Sequence, residues 1–247
     1  MTTTGLCRLS LVSPIIALLL LGPLLAPLQA EEREWKLVTD RDGIQVYRSH
    51  NDDSKIKTFR GEGIMPISDF RALGVQLNDY DHVASWMHMI SSINEIARVS
   101  DIDRQIWVTT RLPWPVSNRD AAMQLDVSQD PHDYTVTVAF HAENQLLPPQ
   151  DGYVRMPELS GMLRFKPIKP GEVHMIFEVV LDPGGYIPSW IANLILRDIP
   201  YFSLRRFSRV ADHERFRGKD MGYYRIPPGW PGGEADMGED TGRQPLK

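Results

Sequence analysis

From Trp35 to Leu181 the apolar residues of this chain come in short runs that alternate with polar or small ones. Period two sends successive side chains to opposite faces of an extended strand, so each run predicts a strand with one buried face. "WKLVTDRDGIQVYRS" reads as two such runs around the turn signal Arg41-Asp42-Gly43, and "KIKTFRGEGI" continues the pattern. Six more follow: "SINEIARVS", "RQIWVTTRL", "AAMQLDVS", "YTVTVAFHA", "MLRFKPI" and "EVHMIFEVVL". Strands that succeed one another without helices between them form an antiparallel meander, here one that must curve strongly to enclose a core.

A helix is expected at each end of this series. In "PISDFRALGVQLND", Ile67, Phe70, Leu73 and Leu77 recur at three- and four-residue spacing, with Pro66 in the first turn. Near the C-terminus, Ile187, Trp190, Ile191, Leu194 and Ile195 form an apolar stripe after Pro188. Pro200 lies inside that pattern and predicts a kink or a break before a second amphipathic stretch carrying Phe202, Phe207 and Val210. A long terminal helix on a curved antiparallel sheet is an α+β helix-grip arrangement.

The ends are read separately. Residues 1–30 hold one charged side chain, Arg8, then an apolar stretch ending at Ala30, as in a secretory signal peptide. The uncharged run from Leu9 to Leu28 approaches a membrane-spanning length, but Pro14, Gly22, Pro23 and Pro27 oppose a continuous spanning helix. Cleavage after Ala30 removes Cys7, the only cysteine, so the mature chain has neither disulfide nor thiol and is expected in the periplasm or outside the cell. Residues 31–221 are expected to form one domain. Residues 222–247, rich in Pro, Gly and charge, are expected to be a disordered tail.

Without Arg8 the basic residues number one fewer than the 27 of the full chain, against 32 acidic ones. A mildly acidic chain offers no electrostatic reason to bind nucleic acid. His82 and His88 are six apart and no HExxH occurs, so no metal site is expected, and no serine sits in a G-x-S-x-G elbow. His141 and Glu143 are a weak acid-base pair with nothing converging on them. No phosphate loop or other cofactor motif is present.

Two separated segments, "PWPVSNRD" (113–120) and "DPGGYIPSWIANLILRDIP" (182–200), resemble the most recognisable stretches of START domains, the StAR-related lipid-transfer domains, and within them the phosphatidylcholine-transfer branch. "DGIQVYRS" and "KTFRGEG" resemble that family's opening strands, so the likeness spans roughly Trp35 to Arg217. It implies an apolar tunnel between sheet and C-terminal helix that holds one lipid or sterol-like molecule without covalent chemistry or cofactor, in a monomer that touches membranes transiently. An enzyme of the cyclase, aromatase or hydrolase kind on the same scaffold is the alternative. An exported, bacterial member departs from the cytosolic animal relatives and leaves the ligand open among phospholipids, hopanoid-like compounds and sterols.

The resemblance implies roles for particular residues. Arg119 would meet a polar head with its planar fork while Asp120 steadies it; ordinary ion pairing at the start of the strand is the competing reading. Adjacent strand residues face opposite ways, so only one of the two can look squarely into a cavity. Arg155 would be a second cavity charge or a solvated strand residue. Trp190 and Leu194 would line the tunnel or pack in the core. Gly184 and Gly185 would make the sharp turn into the helix or serve as its hinge. Trp114, between two prolines, is expected to plug the beginning of a strand.

Overall fold

A computed structural model describes residues 34–49, 57–187, 189–222 and 224–233; the side chains of residues 57 and 189–196 lie outside that description. The expected signal peptide and the last fourteen residues are likewise outside it. The elements run β1 (Trp35–Arg41), β2 (Ile44–Ser49), β3 (Lys57–Ile67), α1 (Ala72–Asn78), α2 (Tyr80–Trp86), β4 (Ile90–Arg98), β5 (Asp103–Thr110), β6 (Asn118–Gln129), β7 (Val136–Ala142), β8 (Tyr153–Arg155), β9 (Glu158–Lys169), β10 (Gly171–Asp182) and α3 (Ser189–Val210). A short 3-10 turn, Glu214–Phe216, follows α3.

One ten-stranded sheet has the order β1-β2-β3-β10-β9-β7-β6-β5-β4, antiparallel throughout, while the three-residue β8 lies parallel to the start of β6. Two meanders, β1 to β3 and β4 to β10, therefore meet where β3 pairs with β10 over eleven residues. The sheet curves, and one face becomes the inside. Alternation decides which: Ile106 and Val108 of β5, Met123 of β6, Val136 and Val138 of β7, and Val173 to Leu181 by twos on β10 are all buried.

The first helix starts later than periodicity suggested. Pro66 and Ile67 still belong to β3, paired with Glu172 and Gly171, and α1 begins at Ala72. β2 accompanies β3 only as far as Gly63, so Pro66 lies where one edge of the strand is open and a missing N–H is tolerated. The segment after α1 contains a second helix, α2. Its N-terminus is capped by the Asp79 carboxylate, which accepts from the His82 amide at 2.9 Å.

α3 also departs from expectation, because it runs through Pro200 without a break. The reason is tertiary. Gly61 of β3 lies directly beneath: a Cβ there would come within 2.7 Å of Leu204 and 2.8 Å of Pro200. The bare backbone lets the helix settle onto the sheet, and Tyr201, Leu204 and Phe207 are buried there, which offsets the backbone hydrogen bond that proline cannot make.

The expected disordered tail is corrected at its beginning. Tyr224 donates from its hydroxyl to the Phe70 carbonyl at 3.1 Å and accepts from the Gly74 amide. Trp230 is buried, its ring edge-on to Phe70 at 5.4 Å. Composition missed this because two aromatic side chains supply enough apolar area to anchor a segment whose prolines already restrict the backbone.

Candidate functional site

Between the concave face of the sheet and the helices lies a cavity of about 150 Å3. Ile106 and Val108 wall it from β5, Met123 and Leu125 from β6, Leu163 from β9, and Phe177, Val179 and Leu181 from β10. Val83 of α2 and Met87 just beyond it, with Ile199 of α3, close the top. The walls are almost wholly apolar. Water placed there would find few partners, so such a space favours hydrocarbon over solvent.

Five polar side chains interrupt this lining: Asn78, Tyr80, His88, Arg104 and Thr110. Burial pushes the Tyr80 hydroxyl above its ordinary pKa, opposed by a hydrogen bond with Arg104. Burial pushes the His88 ring below its ordinary pKa and the nearby Arg206 charge adds to this, so the ring is neutral at physiological pH. Its Nδ1 is buried without a hydrogen-bond partner, and the ring lies 5.0 Å from that of Phe202.

None of these five was expected from the sequence as a ligand contact, and His88 was weighed there only for metal spacing, although one signal was present. In "RQIWVTT", Arg104 shares parity with Ile106, Val108 and Thr110, which places a charge on the inward, apolar face of its strand.

Arg119, Asp120 and Arg155 are buried or nearly so, but they are not among the described residues that line the cavity. Arg119 has the inward parity of Met123 and Leu125, at the start of β6. Its fork is spent on backbone carbonyls: Nε donates to Pro183 at 3.2 Å, Nη2 to Gly184 at 3.0 Å and Nη1 to Ser117. The headgroup role implied for it is corrected to that of a clamp on the turn leading into α3. Burial lowers the pKa of its guanidinium.

Asp120 points the other way. Its carboxylate accepts from Arg155 Nε at 3.0 Å and Nη2 at 2.8 Å, and from the Trp107 indole at 2.9 Å. Arg155 also donates to the carbonyls of Leu147 and Pro148, so it is the counter-charge of Asp120 and ties down the loop before β8 instead of charging the cavity. The two neighbours thus serve opposite faces of the sheet, as strand geometry requires.

Gly184 and Gly185 both have left-handed backbone angles, φ 61° and 62°, which a β-carbon would strain. Gly184 is held at both ends, its amide by the Asp182 carboxylate at 2.9 Å and its carbonyl by Arg119. Trp190 and Leu194 fall within α3, with side chains outside the described residues. Trp114 is 91% exposed, so the expected plug is corrected to a solvent-facing ring; the loop bends outward between its prolines before β6 begins.

Comparisons with known proteins agree with this architecture. The family model for the START domain matches residues 21–214. An uncharacterised protein of Pseudomonas aeruginosa is 28% identical over 179 residues, covering 72% of this chain and 87% of its own. The phosphatidylcholine transfer protein of Mus musculus is 22% identical over 173 residues, covering 68% of this chain and 80% of its own. Among solved structures, a STAR-related lipid transfer protein from Xanthomonas axonopodis superposes with a TM-score of 0.63 at 28% identity, over 72% of this chain and 98% of that one. Human StAR-related lipid transfer protein 5 shares the fold, with a TM-score of 0.64 at 18% identity, over 72% and 86%. With its helix-grip architecture and a domain match over most of its length, the chain belongs to the START domain family.

Proposed function

We propose that the protein binds one lipid or similar hydrophobic molecule in the cavity between sheet and helices and carries it, as a monomer and without covalent chemistry. The observation that carries this reading is a lining of branched aliphatic, Met and Phe side chains inside a domain of this family. Each methylene moved from water into such a space gains about 0.8 kcal/mol, so an acyl chain or fused-ring skeleton supplies ample driving force. The mouse and Xanthomonas relatives bear names of lipid-transfer proteins, which supports the same class of ligand.

Admission requires an opening. The turn before α3 offers one: two consecutive glycines let the chain pivot, and release of the Pro183 and Gly184 carbonyls by Arg119 would free the helix to swing. Transient contact with a membrane then brings hydrocarbon to the opened cavity. The apolar N-terminal stretch, read as a secretory signal, supports placing this traffic in the periplasm or outside the cell.

Native mass spectrometry of the purified protein, followed by organic extraction, tests the proposal. The expected result is a species heavier than the chain by a single lipid, which the extract identifies. A protein that emerges empty and takes up no fluorescent phospholipid, fatty acid or sterol from vesicles would exclude the carrier role, and turnover of an ester or polyketide would replace it with catalysis.

A further inference from the structure

Arg104 is the one permanently charged side chain among the described residues lining the cavity. It extends from the inward face of β5, opposite Leu125 of β6, and is only 4% exposed. One Nη donates to the Asp101 carbonyl, while Nε is buried and makes no hydrogen bond. Among the described residues no carboxylate lies within ion-pair distance of it. Glu95 is near enough for its charge to be felt, but that carboxylate is exposed and engaged by Arg98 at 3.1 and 2.9 Å.

A guanidinium taken out of water without a counter-charge is costly, and an apolar side chain of similar size would pack the same space better. Tyr80, whose hydroxyl donates to Glu95 at 3.4 Å and feels the Arg104 charge, and Asn78 line the cavity too, so this end of an otherwise greasy space is polar. Thr110 lies six residues along β5, about 20 Å away at the usual strand rise, with Ile106 and Val108 between. The cavity therefore has one cationic pole and a long apolar barrel.

We infer that Arg104 is the seat of an anionic group on the ligand, a carboxylate or a phosphate, whose hydrocarbon runs from it towards Thr110. This rests on the carrier reading above and adds a ligand class: hydrophobic acids, not neutral sterols or glycerides. The anion supplies the missing counter-charge, and the planar fork of arginine suits either group. The polar end of the guest lies deep against the β4 to β5 side, beneath α1 and α2.

Binding of two matched pairs of pyrene-labelled probes to the full chain tests this: a fatty acid against its methyl ester, and a phosphatidate against the corresponding diacylglycerol. The wild type is expected to prefer the charged member of at least one pair by about tenfold to a hundredfold, the size of a buried charged hydrogen bond. The fatty-acid pair reports a carboxylate seat and the lipid pair a phosphate seat. Arg104→Met should abolish the preference while keeping affinity for the neutral member, and Arg104→Lys should retain part of it. Equal binding within both pairs by the wild type, or a preference that survives Arg104→Met, overturns the inference while leaving the carrier reading intact. Failure of all four probes to bind overturns both. The wild-type comparison decides the matter even where a variant does not fold.

Discussion

Asp120 has no measurable exposure, and three donors from Arg155 and Trp107 converge on it. Breaking such a pair strands the surviving charge in a dry place. Asp120→Ala is therefore expected to cost about 3 to 5 kcal/mol in denaturant unfolding. Replacing both partners, with Asp120→Leu and Arg155→Met together, should recover much of that loss, and a double variant as unstable as the sum of the singles would show the pair is not a unit. Arg119 differs, since its partners are carbonyls. Arg119→Ala should cost about 1 to 3 kcal/mol, and the loss should be local, with faster hydrogen exchange at the Gly184 and Gly185 amides. Because release of these carbonyls is proposed to free α3, the same change is expected to speed lipid release with little effect on headgroup preference. Unchanged exchange at the turn would refute the clamp.

At the scale of elements, α3 depends on the absence of a side chain in β3. Gly61→Ala places a methyl group against Leu204 and Pro200, so the helix must rise or its side chains must leave their rotamers. Overpacking of this kind costs about 1 to 3 kcal/mol, seen as a lower thermal midpoint. The β6 to β7 connection carries a pH dependence. Asp133 accepts from the Thr135 amide at 3.0 Å and pairs with Lys166 at 3.0 Å; these interactions, Thr135 foremost, lower its carboxyl to about 2. A depressed acid stabilises the fold above its unfolded value of about 3.9, and that contribution fades as pH falls through the folded value. Melting curves of wild type and Asp133→Asn should thus differ at about pH 5 and converge near pH 2. A gap that persists in acid would mean the carboxylate is not the cause.

The whole molecule is a bent sheet whose inner face is larger than its helices fill. α3 packs on β2, β3 and β10, while the space over β5, β6 and β7 stays open beneath α1 and α2. Val138 of β7 lines that space, so Val138→Trp fills it without crowding an occupied core. The variant is expected to keep its thermal midpoint within a few degrees and to lose at least tenfold in affinity for a fluorescent fatty acid. Undiminished binding would place the ligand elsewhere.

Most strands, the alternation that gives each one buried face, and the helix-grip class were legible in the sequence, because period two is a local property enforced by the pleat. The Asp42-Gly43 turn was legible too, both residues adopting positive φ as a two-residue hairpin needs. What only the tertiary structure decided were relations between distant segments: Gly61 beneath Pro200, Trp230 against Phe70, Arg119 spent on a turn 64 residues away, and Arg155 serving Asp120. Residue type says that an arginine must find partners, but not which ones. The bend of the sheet settles that by choosing which side chains converge, and among the described residues it left Arg104, unmarked by any motif, as the charge inside the cavity.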